Sequence, residues 1–298
     1  MPSVVPDSPS IVLRSTHILL VRLQKADLGE WGPRPDAGGV QRTARLALKL
    51  EEVLKGTVKE QVGDVIRLDT TQYDTGTGRI AAVPGVWSDV SLDPGTELVA
   101  FSRCDGTEAA HVLNDPSCER LCPPREALAD VRLALKAEAG NPTLPELLAM
   151  AKPVAGALND IFAEYLWVRE GQAAPKEKTG FEPLMEFLES PGLGGLARAA
   201  LLDAVNADLV VSSTASPWHT QRLAVAMFRL LALPQAASLH DEILQPRLPN
   251  LLGLSGGGTK RSADEVFHDF PADRARALQA LKAYKGEAKT ADLLKWLH

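Results

Sequence analysis

Apolar and polar residues alternate in the first part of the chain. Within residues 40–54, leucine occupies positions 46, 48 and 50, and Arg45, Ala47 and Lys49 lie between them. A period of two predicts a long strand with one face in a core. Shorter runs of strand-forming residues at 15–25, 64–68, 97–101 and 110–113 are separated by Gly, Pro and Asp. Several short strands with such separators predict a β-sandwich or a barrel.

After residue 125 the apolar period becomes that of a helix. Leu128, Val131 and Leu135 recur at helical spacing, and the run ends at Gly140, Asn141 and Pro142, which is typical of a helix C-terminus. A second helix is predicted from residue 144 to residue 171, with a bend at Pro153. The second part of the chain is therefore predicted to be helical.

Further helices follow in pairs. Residues 181–205 read as a short helix, a Pro-Gly turn and a second helix, and residues 216–233 supply more hairpin material. Ser262 and Glu265 fit the S-x-x-E capping box, which predicts a helix from Ala263. Residues 272–284 and 290–298 are the last predicted helices.

Two segments of the first part resemble a known family. The sequence LKLEEVLKG at residues 48–56, preceded by the aliphatic run 18–21, and GTELVAFSR at 95–103 resemble netrin-like domains. These domains are OB-type barrels related to the tissue inhibitors of metalloproteinases. Inhibition in that family uses an N-terminal cysteine, and no cysteine precedes Cys104 here. The resemblance therefore implies the barrel and not the inhibitor chemistry.

The helical pairs resemble HEAT-type hairpins. Together, the two resemblances imply an α+β protein of two domains: a small all-β, OB-like barrel at 11–125 and an all-α, HEAT-like domain at 126–298. Stacked helical pairs bury a continuous core and leave concave faces for a partner. Both domains are therefore expected to be interaction folds.

Composition narrows the classes of partner. The 298 residues carry a net charge of −6, and 45% are hydrophobic, as in a globular protein. The longest apolar runs are too short to span a bilayer, so no membrane span is expected. Acidic residues outnumber basic ones on both sides of residue 125, and aromatics make up only 5%. These features argue against nucleic acid as a partner. Residues 1–10 lack a signal peptide's features, which predicts a cytoplasmic protein, or an extracytoplasmic one whose signal has been removed.

Three cysteines, Cys104, Cys118 and Cys122, lie within nineteen residues. They are compatible with unpaired thiols, with a disulfide from Cys104 to Cys118 or Cys122, or with a zinc site completed by His111. The C-x3-C spacing is loose for zinc. The sequence therefore predicts no metal site and no cofactor.

The segment Gly253–Gly257 satisfies G-x-S-x-G, the nucleophile elbow of serine hydrolases. An elbow needs a strand before Ser255 and a helix after it, with an acid and a histidine downstream. A phosphate-binding loop is excluded, because Thr259 precedes Lys260 and Arg261 follows it. Lys260 and Arg261, beside a predicted helix N-terminus, are candidate anion contacts.

Trp31 and Trp87 lie in predicted barrel loops and are candidate contact residues, because loops often carry recognition. The clusters His240–Asp241–Glu242 and His268–Asp269 are interpreted as solvated faces, since adjacent helical residues point in different directions. The sequence therefore predicts a non-enzymatic binding or scaffolding protein with a protein partner. A serine hydrolase using Ser255 and an envelope or secreted binding protein are the alternatives.

Overall fold

The computed structural model describes residues 10–34, 39–74, 91–115, 118, 120–122, 124–168, 178–211, 216–255, 260–284 and 287–298. Two compact units divide the chain, with Pro9–Leu135 in one and Lys136–His298 in the other. The first contains an antiparallel sheet and the second is mostly helical. The predicted two-part α+β organisation is therefore confirmed at this level.

Among its described residues, the first unit, called here the sheet unit, contains six antiparallel strands, two short helices and the N-terminal part of a longer helix. The strand order is β2-β3-β1-β5-β6, and β4 pairs with β3. The strands are β1 His17–Leu28, β2 Gly32–Pro33, β3 Val40–Lys55, β4 Val65–Asp74, β5 Glu97–Ser102 and β6 Arg120–Cys122, and the helices are α1 Ile11–Arg14 and α2 Ala109–Asn114.

The long strand β3 confirms the period-two prediction. Ala44, Leu46, Leu48 and Leu50 are buried on one face of β3, in a core that also includes residues of β1, β4, β5 and α2. Gly56 ends the strand with a φ of 85°. A Cβ atom there would lie 2.5 Å from His17 Cδ2 and 2.6 Å from the Thr16 carbonyl oxygen, so this exit from β3 requires glycine.

One predicted strand is wrong. Residues 110–113 belong to helix α2 and not to a strand. The helix buries Ala109, Val112 and Leu113, the i, i+3, i+4 pattern of an amphipathic helix. Four residues were too few to separate this pattern from alternation, and burial against the sheet core selects the helix.

The second unit, called here the helical unit, begins within a long helix. That helix, α3 Pro124–Gly140, ends where the sequence predicted. The later helices are α4 Leu144–Ala151, α5 Asp160–Leu166, α6 Lys178–Leu188, α7 Gly195–Val211, α8 Pro217–Leu231, α9 His240–Glu242, α10 Leu248–Leu251, α11 Ala263–Val266, α12 Pro271–Ala283 and α13 Glu287–Leu297.

Two local predictions for the helical unit have different outcomes. Both bonds of the Ser262–Glu265 capping box are present at the start of α11, which confirms it. The helix predicted from residue 144 does not merely bend at Pro153. It ends at Ala151, and a 3-10 turn, Lys152–Ala157, leads to α5. The Pro153 ring removes a backbone donor that a continuous helix would use.

Five charged residues of alternating sign connect helices of the helical unit, and this set is called here the charge chain. It runs from Glu182 to Arg222, Glu189, Arg229 and Asp273. Arg222 is 0% exposed, and its Nε lies 2.8 Å from both Glu182 carboxylate oxygens. Arg229 donates to Glu189 at 2.8 Å and to both oxygens of Asp273 at 3.0 and 2.9 Å.

Arg198 is a second fully buried arginine, and it binds backbone instead of carboxylates. Its guanidinium donates to the carbonyl oxygens of Leu188, Ser190 and Gln235 at 3.1, 2.6 and 3.0 Å. Two of these carbonyls lie at the C-terminal end of α6, where helical carbonyls lack partners of their own. Burial lowers the pKa of Arg198.

No single helix within the described ranges is long and apolar enough to cross a bilayer. The bent pair Pro217–Leu231 and Pro234–Leu251, at 111° to each other, would qualify by length and composition alone.

Candidate functional site

Trp31 lies at one end of the sheet, between β1 and β2. Gly32 pairs with Gln41, so the register places Trp31 opposite Arg42 of β3. The guanidinium carbon of Arg42 lies 4.5 Å from the centroid of the indole ring. Trp31 is 43% exposed. This is a cation–π contact at a surface, worth about 0.5–1 kcal/mol in such settings.

A hydrogen bond orients the Arg42 side chain. Its Nε donates to Gln72 Oε1 at 2.8 Å across the β3–β4 pair, and Gln72 is buried. Among the described residues, the terminal amino groups of Arg42 have no hydrogen-bond partner. The guanidinium is therefore held by the ring and by Gln72, with its terminal amino groups available.

Leu28 and Val40 extend this surface. Leu28 pairs with Ala44, and Val40 pairs with Pro33. By strand alternation Val40 and Arg42 share the face on which Ala44 is buried, and cross-strand pairing places Leu28 on the same face. Leu28 and Val40 are nevertheless exposed. We call Leu28, Trp31, Val40 and Arg42 the sheet-end surface. Trp87, the other predicted contact residue, lies outside the described residues.

A second group of reactive side chains lies near the end of β5. Cys104 follows this strand, His111 lies on α2, and Asp115 directly follows α2. Each residue offers one possible ligand atom, namely a sulfur, a ring nitrogen or a carboxylate oxygen, and these three atoms lie within 4.8 Å of one another. His111 Nε2 and Asp115 Oδ2 are 4.0 Å apart, at i and i+4. Cys104 is buried, Asp115 is partly buried, and the His111 side chain is 62% exposed. We call these three residues the C-H-D cluster.

Backbone contacts fix the position of Cys104. Its N–H donates to Ser102 Oγ at 3.1 Å, and its carbonyl oxygen accepts from Thr16 Oγ1 at 2.8 Å. Its sulfur accepts the Gly106 N–H at 3.2 Å. A Cβ on Gly106 would lie 2.6 Å from His111 Cδ2 and 3.1 Å from Cys104 Sγ. Glycine therefore allows the backbone to lie against both side chains.

Cys104 forms no disulfide with a described residue. Cys118 is buried in the same core but does not belong to the C-H-D cluster. The side chain of Cys122 lies outside the described residues. The disulfide between Cys104 and one of the other two cysteines stays a prediction.

The G-x-S-x-G segment does not have the local structure of a nucleophile elbow. Helix α10 ends at Leu251, and Leu252 and Gly253 form a turn in which Gly253 has a φ of 71°. The hydrolase alternative required a strand at 251–254. The structure has a helix end and a turn there, so the alternative lacks its structural basis.

Arg261, a predicted anion contact, binds protein backbone. Its guanidinium donates to the Leu251 carbonyl oxygen at 3.0 Å, and its N–H donates to the Leu252 carbonyl oxygen at 3.1 Å. Its own carbonyl oxygen accepts the Trp296 Nε1–H at 2.7 Å. Arg261 thus connects the end of α10 to the start of α11. Lys260 is exposed, and anion binding by either residue stays a prediction.

His240, Asp241 and Glu242 form their hydrogen bonds and ion pairs with different residues. The ring of His240 bonds the Leu230 carbonyl oxygen, and Glu242 pairs with Arg247. Asp241 pairs with Lys289 at 2.8 Å, and hydrogen bonds from Lys289 and then Tyr284 hold its pKa below the ordinary value. These three neighbours do not form a shared site.

No protein family, curated protein or solved structure gives a significant match to this chain. A function can therefore be inferred only from the geometry of the sheet-end surface and the C-H-D cluster. The sequence pointed to Trp31, Cys104 and His111 but not to their neighbours Arg42 and Asp115.

Proposed function

We propose that this is a non-enzymatic binding or scaffolding protein that contacts a protein partner through the sheet-end surface. The observation that supports this most is the exposed Trp31 beneath the oriented guanidinium of Arg42. Trp and Arg are enriched among the residues that contribute most to protein–protein binding. An indole that is already packed on one side loses little conformational freedom when a partner covers the other.

The side chains of this surface indicate the chemistry of the partner. Leu28, Trp31 and Val40 offer exposed apolar area, and Arg42 adds terminal amino groups without a partner among the described residues. A carboxylate can accept both N–H groups of a guanidinium fork at once. The complementary surface is therefore an apolar side chain beside an aspartate or glutamate on another protein.

We also propose a specific fold for each of the two units. We take the sheet as an OB-type barrel, which is supported by irregularities in the β1–β3 register at three points. Bulges of this kind increase twist and curl a sheet. We take α6 and α7, which a short turn at residues 189–194 joins, as a HEAT-like hairpin. Both folds present binding surfaces in other proteins.

Affinity capture with the intact chain tests the proposal. The wild type and the variants Trp31→Ala, Arg42→Ala and Arg42→Lys serve as baits in extract from the native host, with quantitative mass spectrometry. Leu196→Ala is the matched control, because Leu196 is 60% exposed and lies in the helical unit. Circular dichroism confirms that each bait is folded.

We expect the wild type and Leu196→Ala to retain the same partner. Trp31→Ala and Arg42→Ala should each bind this partner at least about thirtyfold more weakly, which corresponds to a hot spot of about 2 kcal/mol. Arg42→Lys keeps the charge but not the fork and should also bind weakly. The proposal is overturned if Trp31→Ala retains the same proteins as the wild type, or if the wild type retains none specifically.

A further inference from the structure

The C-H-D cluster brings together three different kinds of metal ligand. Zinc binds cysteine sulfur at about 2.3 Å and histidine nitrogen or carboxylate oxygen at about 2.0–2.2 Å. Ligand atoms around a tetrahedral zinc ion therefore lie roughly 3.3–3.8 Å apart. In the C-H-D cluster they lie within 4.8 Å, and the nitrogen–oxygen pair is at 4.0 Å. Small side-chain rotations would bring the three ligand atoms to the separations found around a tetrahedral zinc ion.

The same three residue types could also form a nucleophile, base and acid relay. In a relay the thiol and the carboxylate lie at opposite nitrogens of the imidazole, because the acid orients the ring while the base takes the proton. Here a single ring nitrogen lies within 4.8 Å of both the sulfur and the carboxylate oxygen. The three ligand atoms therefore form one compact group, and a shared metal ion requires such a group.

We propose that Cys104, His111 and Asp115 bind a divalent transition-metal ion, with zinc as the best match. A thiolate, an imidazole and a carboxylate are the ligands that zinc takes in proteins, whereas magnesium and calcium select oxygen. Three protein ligands leave a fourth position for water or an external ligand.

The surroundings of the cluster favour a bound ion. The Gly106 N–H donates to Cys104 Sγ, which is the kind of outer-shell hydrogen bond that orients sulfur ligands at metal centres. The backbone of Cys104 is bonded on both sides, by Ser102 and Thr16, so the sulfur is held in place before the metal arrives. The His111 side chain is 62% exposed and gives the ion a path from solvent.

The binding of zinc and of cobalt(II) to the purified intact chain tests this site. After treatment with a chelator, zinc affinity is measured by competition with a chromophoric chelator. Cobalt(II) absorption then reports the thiolate bond and four-coordinate geometry. The variants are Cys104→Ser, His111→Gln and Asp115→Asn. The matched controls are Cys118→Ser, buried in the same core, together with His268→Gln and Asp105→Asn.

We expect one zinc ion per chain in the wild type and in all three controls. Each of the three cluster variants should lower the affinity at least tenfold, roughly the cost of losing even an outer-shell partner. Cys104→Ser should also remove the cobalt–thiolate absorption. Because His111 is exposed, His111→Gln should keep the fold, and circular dichroism checks this for every variant.

Three results overturn the site. The first is a wild-type chain that binds no stoichiometric zinc. The second is a His111→Gln variant that binds zinc as tightly as the wild type. The third is a Cys118→Ser variant that loses zinc as completely as Cys104→Ser, because the ligand set would then not be the C-H-D cluster.

Discussion

Glu189 is the central carboxylate of the charge chain. Its replacement tests how much the charge chain contributes to the free energy of unfolding. One of its oxygens accepts from Arg222 and the other from Arg229. Burial alone would lower the pKa of Arg222, but the hydrogen bonds that its guanidinium donates to Glu182 and Glu189 outweigh burial and raise that pKa. Glu189→Gln keeps the size of the side chain and removes its charge.

The magnitude follows from the bonds that change. The amide keeps one oxygen, which can accept from one arginine, and it turns an NH₂ group toward the other. One charge-assisted hydrogen bond is lost, at about 1.5–3 kcal/mol, and the remaining one is weakened. Arg222 is 0% exposed, so water cannot replace the lost partner. We expect Glu189→Gln to lower the free energy of unfolding by about 3 kcal/mol.

Urea unfolding followed by far-ultraviolet circular dichroism measures this loss. A loss of about 3 kcal/mol shifts the urea midpoint by about 1–2 M. Asp264→Asn is the control, since it makes the same chemical change in an ion pair with Arg274 where Asp264 is 84% exposed. Its effect should stay below about 1 kcal/mol. Equal midpoint shifts for the two variants would refute the reasoning.

Three further predictions follow from other contacts. Arg198→Met should lower the free energy of unfolding by about 3 kcal/mol, because three buried carbonyl oxygens lose their donor. Arg276→Met is the control, because Arg276 is exposed and its replacement should change this free energy little. Thermal unfolding of the two variants compares these losses. Gly56→Ala should destabilise more than Gly63→Ala, because both have positive φ but only Gly56 lacks space for a Cβ; equal losses would contradict this. A hydrogen bond from Arg229 holds the pKa of Asp273 below its ordinary value. The ionised Asp273 therefore stabilises the fold at pH values above the pKa that Asp273 has in the unfolded chain. This stabilisation is lost as the pH falls through the lower pKa that Asp273 has in the folded protein. Urea unfolding at a series of acidic pH values should therefore show a shallower loss of stability in Asp273→Asn than in the wild type, and identical slopes would contradict it.

The sequence predicted the elements whose pattern is long or whose signal is local. The alternation at Leu46, Leu48 and Leu50 was sufficient for β3, and the Ser262–Glu265 spacing was sufficient for the start of α11. Helix α2 was misread because four residues fit both periods. That error also concealed Asp115, because residues at i and i+4 approach each other on a helix, whereas on a strand they would lie roughly 13 Å apart.

Long-range contacts could not be predicted from spacing. In the charge chain, Arg222 pairs with Glu189 and Glu182, which are 33 and 40 residues away in the sequence. Arg229 pairs with Asp273, which is 44 residues away. Nothing local distinguishes these arginines from others on amphipathic helices. Arg42 was missed for a related reason, since its contact with Trp31 depends on the register of β2 against β3.

The charge chain also constrains how this sequence can diverge. Each inner member has two partners of opposite sign, so one substitution takes a partner away from two other members at once. Replacing Arg222 with an apolar residue should therefore cost less when Glu182 changes with it, because Arg222 is the partner of Glu182 in the charge chain, whereas Glu189 keeps Arg229. These positions, on α6, α8 and α12 and at Glu189 directly after α6, are therefore expected to covary in descendants of this sequence. The alternating charges should be inherited as one unit or replaced together by an apolar core.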